Sequence, residues 1–190
     1  MIKLNFDGTS KGNPSKAGYG GIFRNHEGQP LLSFFGSIGW DTNNSVELEG
    51  LWQGMKLADQ HTFYPIPIEG DTQILINMVT QIQQGRSASR VVNSWRLMTK
   101  LETIEKWIKD RKEITFIHVK RDCNTVVDLL ANIGTGQDQI LHYGPLDIID
   151  DQNQLQICTD LVQQEAHSLD GGLSFERPAM QVAMEMVIDD

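Results

Sequence analysis

Asp7-Gly8-Thr9-Ser10-Lys11-Gly12-Asn13-Pro14 closes a run in which apolar and polar residues alternate. Ile2, Leu4 and Phe6 fall on one side of that run, and Lys3, Asn5 and Asp7 on the other. Alternation of period two marks a half-buried strand. The glycines, serine and proline that follow are turn formers. This stretch therefore predicts a first strand whose polar face ends in a carboxylate, Asp7.

Further along, Ala17 to Phe23 reads as a second strand, with Gly18, Gly20 and Gly21 allowing close backbone approach. His26-Glu27-Gly28-Gln29 reads as a hairpin turn and Leu31 to Ser37 as a third strand. Glu47 opens a helical pattern after Thr42-Asn43-Asn44; Asn44 suits an N-cap and Glu47 the matching capping-box position. That helix is expected to run to about His61. Ile66 to Gly70 predicts a short fourth strand, with Asp71 directly after it. Thr72 to Gln84 predicts a helix stopped by Gly85, and Arg90 to Lys109 a longer amphipathic one. Glu113 to Val119 predicts the fifth strand. Asn124 is placed to cap a last helix to about Ile133, with Asp128 in its first turn.

Asp7, Glu47, Asp71 and Asp128 thus fall at strand ends and helix starts. Each alone is an ordinary turn or cap residue. Together they offer four oxygen donors that can converge on hard divalent cations, the arrangement used in two-metal phosphodiester hydrolysis. The polar ends of the first and fourth strands would set Asp7 and Asp71 side by side.

At these residues the chain resembles the type 1 ribonuclease H family, most closely its plant retroelement-like branch. The resemblance rests on Asp7-Gly8 with Gly12-Asn13-Pro14, then Thr42-Asn43-Asn44 with Glu47-Leu48, then Gly70-Asp71 with Gln73. It ends on His118-Val119 with Arg121, and on Asn124 with Asp128, Leu130 and Ala131, covering roughly residues 1 to 135. It implies an α/β fold: a five-stranded mixed sheet, three strands antiparallel and then two parallel, flanked by helices. It also implies Mg²⁺-dependent hydrolysis of the RNA strand of an RNA–DNA hybrid, with Mn²⁺ as a substitute.

In that scheme Asp7 bridges two ions roughly 4 Å apart. Glu47 and Asp71 complete the ion that activates water, and Asp128 the ion at the leaving 3′ oxygen. Asn13, Asn44 and Gln73 match residues that contact the RNA strand, and Thr42 one that binds a phosphate of the DNA strand. Amides both donate and accept, so they can tell a 2′-hydroxyl from hydrogen. Lys120 and Arg121 suit phosphate contact, and His118 is left open between a catalytic and a strand role. Ser15, Val46 and Val127 depart from the family's small residues at their positions. The resemblance further implies a monomer, fused to or derived from a reverse transcriptase polyprotein. The rival reading is a non-catalytic nucleic-acid-binding remnant of a retroelement; a third is an interaction domain whose acidic end meets a basic partner.

The net charge of −9 is unevenly spread. Residues 1–136 carry 15 Lys and Arg against 14 Asp and Glu, whereas residues 137–190 carry Arg177 against 11 acidic residues. A near-neutral domain with metal-binding carboxylates is compatible with nucleic acid. The expected organisation is a ribonuclease H-like domain over 1–136 and an acidic, flexible tail over 137–190, with a docking helix at Leu155 to Val162 as the alternative. Cys123 and Cys158 form no paired motif, which points to reduced thiols and argues against zinc. No apolar run approaches the ~20 residues of a membrane span. The first residues read as a strand rather than a signal, so an intracellular location, cytoplasmic or nuclear, is expected.

Overall fold

The computed structural model describes residues 1–12, 14–111, 113–138 and 141–170, the last four without their side chains. Strands β1 (Lys3–Ser10), β2 (Ser15–Arg24) and β3 (Pro30–Asp41) form an antiparallel meander. Helix α1 (Asn43–Gln60) leads to β4 (Ile66–Gly70), which pairs parallel with β1. Helices α2 (Gln73–Gln83), α3 (Ala88–Val91) and α4 (Trp95–Asp110) lead to β5 (Ile114–His118), parallel to β4. Then come α5 (Thr125–Gly134), β6 (His142–Gly144) and α6 (Gln152–Asp170).

Among the described residues the sheet has six strands in the order β5-β4-β1-β2-β3-β6, not the five expected. The extra strand, β6, lies antiparallel on β3, with Ser33 opposite Gly144 and Phe35 opposite His142. The helix expected over Arg90 to Lys109 is split into α3 and α4. Val92 takes extended backbone and Ser94, at the position before α4, makes no side-chain cap bond; a β-branched residue and a serine, both weak helix formers, interrupt the helical pattern.

Strand alternation divides the core between two faces. Leu4, Phe6, Tyr19, Phe23 and Phe34 pack with Leu48, Leu51 and Met55 of α1 and with the apolar sides of α2 and α4. Ile22 and Phe35 point the other way, onto Val126, Val127 and Leu130 of α5 and Cys158 and Val162 of α6. Gly20 lets α5 approach: a Cβ there would lie 2.6 Å from the Ala131 nitrogen.

The expectation of a flexible tail from residue 137 is corrected for 141–166. Ile149, Cys158 and Val162 are buried against the α5 face of the sheet, so the docking-helix alternative describes α6. The rest of that expectation, residues 171–190, lies outside the described residues. Both cysteines are free thiols, Cys123 exposed and Cys158 buried. Among the described residues no helix is long and apolar enough to cross a membrane.

Candidate metal centre

β1 and β4 bring the first two carboxylates together. Their parallel register sets Leu4 beside Ile68 and Asn5 beside Glu69. Asp7 stands two residues further along β1 and Asp71 directly follows β4, so their carboxylates leave neighbouring strands on the same side. Glu47 arrives from the start of α1, which passes close over β1 because Gly8 has no side chain. A Cβ on Gly8 would lie 2.5 Å from the Glu47 nitrogen and 2.5 Å from the Val46 carbonyl carbon. One carboxylate oxygen each of Asp7, Glu47 and Asp71 lies within 4.8 Å of the others.

Electrostatics within this trio are unfavourable. Asp7 has its pKa pushed up to about 8, first by burial and then by the charge of Asp71; Asp128 adds to the effect, while the Gly8 N–H and Arg121 oppose it. Burial, and then Asp7, hold Glu47 well above the ordinary carboxylate range. Burial also raises Asp71, with Arg121 offsetting part of the rise. Glu47 Oε1 accepts from the Thr72 hydroxyl; Oε2 is buried with no hydrogen-bond partner among the described residues, although the nearby Gly8 N–H offsets part of the rise in the Glu47 pKa. A buried, unpartnered carboxylate oxygen among mutually repelling carboxylates is costly unless a cation satisfies it. The all-oxygen, all-carboxylate donor set suits a hard divalent ion.

Asp128 stands apart from the converging trio while remaining close enough to act on Asp7. Its Oδ1 accepts from Arg121 Nη2 at 3.0 Å, and its Oδ2 from the Asn132 amide at 3.2 Å. Arg121 is thus paired with an acidic residue here and also projects its charge onto Asp7 and Asp71.

The other residues expected at the site fall at the ends of elements and are mostly exposed. Thr42 takes the position before α1, and its backbone N–H donates to the Asp41 carboxylate at 2.8 Å. Asn44 is exposed in the first turn of α1. It is not the N-cap, and no side chain caps this helix, so Glu47 serves no capping box and is free to face Asp7. Gln73 is exposed at the start of α2 and donates to Asn77 at 2.8 Å. Lys120 and Arg121 are exposed after β5. His118 ends β5, with Nε2 3.0 Å from the Asp71 carbonyl oxygen. Asn13 lies outside the described residues.

Three contributors escaped the reading of the sequence. Thr72, read as a helix start, binds Glu47. Asn124, read as a cap, makes no capping bond to α5; its amide donates to the Phe6 carbonyl at 3.0 Å. Asn5 donates to Glu69 at 2.8 Å and reaches Asn124 at 3.4 Å, forming a buried polar row from β4 across β1 to α5. The strand parity that places Asn5 on the Asp7 face was the available signal for that row.

Comparison with known proteins bears on the family and the fold. Residues 5–134 match the family described as reverse transcriptase-like. The chain is 28% identical over 127 residues to ribonuclease HI of Halobacterium salinarum, covering 67% of this chain and 60% of that protein. The crystal structure of RNase H1 from the same archaeon is similar with a TM-score of 0.60 at 26% identity, covering 71% of this chain and 97% of that one. LC11-RNase H1, solved in complex with an RNA/DNA hybrid, gives 0.60 at 25% identity, covering 72% and 97%. A much longer Arabidopsis thaliana protein, whose name places it with the ribonucleases H, is 27% identical over 132 residues; the chain spans 20% of its length. With the match extending over more than half of its residues, the chain belongs to the reverse transcriptase-like family, on its ribonuclease H side.

Proposed function

We propose that this chain is a divalent-metal-dependent endonuclease that hydrolyses the RNA strand of RNA–DNA hybrids. The observation that carries the proposal is the convergence of one carboxylate oxygen each of Asp7, Glu47 and Asp71 within 4.8 Å, with one Glu47 oxygen buried and without a hydrogen-bond partner among the described residues. Mg²⁺ is the natural occupant, with Mn²⁺ as a substitute, and two ions are the working number. Asp7, Glu47, Asp71 and Asp128 would hold them. Bound there, the ions would polarise the scissile phosphate and lower the pKa of a water.

The protein's own groups do the rest. Asp7 and Glu47 give up the protons that burial and mutual repulsion favour, so the trio is anionic when loaded. Arg121 and Lys120 offer exposed positive charge to the phosphate backbone beside the acids. The Arg121–Asp128 pair must then open or be shared when substrate and ions bind. Asn44 and Gln73, exposed at the starts of α1 and α2, together with Asn13 of the Gly12-Asn13-Pro14 motif, supply amides to read 2′-hydroxyls. Thr42 is proposed to meet a phosphate of the DNA strand. The solved relative LC11-RNase H1 in complex with an RNA/DNA hybrid supports the choice of substrate class.

The test is a gel assay of end-labelled hybrid with Mg²⁺ and with EDTA, beside duplex DNA and single-stranded RNA. Metal-dependent cutting confined to the RNA of the hybrid is expected. Equal cutting of duplex DNA would point to a general nuclease. Metal binding with no cutting of any substrate would favour a non-catalytic binding module.

A further inference from the structure

Helix α5, which carries Asp128, starts without a cap of its own. Asn124 occupies the preceding position but bonds to Phe6 instead. The backbone N–H of Val126 donates to Glu165 Oε1 at 3.2 Å, across 39 residues of chain. The Thr125 hydroxyl donates to the same oxygen at 2.7 Å. The other oxygen, Oε2, lies 2.6 Å from the Arg24 guanidinium, with side-chain exposures of 12% for Glu165 and 2% for Arg24. A single carboxylate therefore joins the end of β2, the first turn of α5 and helix α6. It places a negative charge where the N-terminal end of a helix attracts one.

We propose that Glu165 is a positioning residue for the metal centre. It fixes the height and rotation of the first turn of α5, and so the place of Asp128, two residues beyond Val126. The family match ends at residue 134, so the cap is delivered by a segment outside the matched domain. This inference rests on the reading of Asp128 as a member of the acidic site. It makes α6 a structural part of that site rather than an appendage. Arg24 orients the Glu165 carboxylate, and the pair, almost wholly out of solvent, holds α6 on the sheet.

Two variants of the full chain, Glu165→Ala and Glu165→Gln, test this. The first readout is amide hydrogen exchange in the metal-free protein. The second is an Mg²⁺ titration followed by the Asp128 carboxyl resonance, with hybrid cleavage against Mg²⁺ concentration beside it. In the alanine variant, Val126 exchange should accelerate well beyond that of β1 and β4. The Mg²⁺ midpoint should rise about 10-fold, the scale of losses when a residue that orients a metal ligand is removed. Cleavage at saturating Mg²⁺ should change far less. Glutamine keeps a neutral acceptor and should fall between alanine and wild type. A uniform acceleration of all amides with an unmoved Mg²⁺ midpoint overturns the proposal and leaves Glu165 a purely structural residue. If the alanine variant does not fold, glutamine decides: a midpoint and a Val126 exchange equal to wild type overturn the proposal. The exchange and resonance measurements need no turnover. A wild-type chain that binds Mg²⁺ without cutting hybrid therefore removes the nuclease reading, while those two readouts still decide the role of Glu165.

Discussion

The side-chain amide of Asn124 donates to the carbonyl of Phe6 at 3.0 Å, tying the residue before α5 to the residue before Asp7. Asn124 is 2% exposed and also meets Asn5. Its bond runs across the sheet rather than up its own helix, so it sets the distance between the strand that carries Asp7 and the helix that carries Asp128.

Replacing Asn124 with Ala would leave the Phe6 carbonyl and part of Asn5 buried without a partner. A loss of about 1–3 kcal/mol is expected for such orphaned groups, read by urea unfolding. Hybrid cleavage should fall by more than the loss of folded protein explains. An unchanged midpoint and rate would remove Asn124 from the list of residues that shape the site.

How far the site could be read from sequence follows from the kind of signal each residue leaves. Asp7 and Asp71 were legible because each directly follows or ends an apolar strand pattern, and parallel pairing then fixes their juxtaposition. Glu47 was legible as a member of the acidic group but misread locally, since α1 starts one residue earlier than Asn44 and has no side-chain cap. Asn124 was misread for a related reason: a cap-forming side chain can serve a distant carbonyl equally well, and only the fold decides which. The Arg24–Glu165 pair was not legible at all. Arg24 shares strand parity with Ile22, which marks it as inward-facing, but nothing near either residue in sequence names its partner. The apolar stripe of α6 is narrow, with Leu155, Cys158, Leu161 and Val162 set among glutamines and acids, so its docking surfaced only as an alternative.

Asp71→Asn should abolish hybrid cleavage while leaving the fold intact. Asparagine keeps the shape of aspartate and loses the charge a divalent ion requires. A residual rate above about a tenth of wild type, measured at saturating Mg²⁺, would remove Asp71 from the ligand set; a contribution of one such ligand to transition-state stabilisation exceeds tenfold, or about 1.4 kcal/mol.

The acidic cluster also predicts a pH dependence of stability in EDTA. Asp7 is raised in the folded chain from 3.8 to about 8, and Glu47 and Asp71 are raised as well. The folded state therefore holds more protons than the unfolded one between these limits, and stability contributed by the cluster is complete below about pH 4 and lost as pH climbs towards 8. Melting temperatures in EDTA should show a cluster-dependent fall from pH 5 to pH 8. Asp7→Asn should flatten that fall, and Mg²⁺ should restore wild-type stability at pH 8 while releasing protons. Parallel profiles for wild type and Asp7→Asn would contradict the assignment.

Gly8→Ala addresses how α1 delivers Glu47. The added Cβ would lie 2.5 Å from the Glu47 nitrogen and 2.7 Å from the Val46 carbonyl oxygen, both rigid backbone. Helix α1 must therefore shift, at the cost of about 1–3 kcal/mol typical of overpacking. Activity should fall more steeply than stability if Glu47 holds metal as proposed, because the displaced helix carries Glu47. Thermal melting beside hybrid cleavage separates the two; wild-type cleavage by a folded variant would show that α1 can move without moving Glu47.

Truncation after Gly136 tests whether the C-terminal segment belongs to the domain. The cut removes β6 and α6, and with them Ile149, Cys158 and Val162 from the core that covers Ile22 and Phe35. It also leaves Arg24, 2% exposed, without the Glu165 carboxylate. Breaking a buried ion pair by removing one partner costs about 3–5 kcal/mol, and the exposed apolar face of the sheet adds to that. The truncated chain should melt far below the full one or fail to fold, and it should lose the protection of Val126 at the start of α5. A chain ending after Asp170 keeps every one of these contacts and serves as the reference for the shorter one. Melting of both truncations by circular dichroism separates the cases. A stable, active chain ending at Gly136 would show that α6 rests on the domain without supporting it, and that Arg24 finds water or another partner once Glu165 is gone.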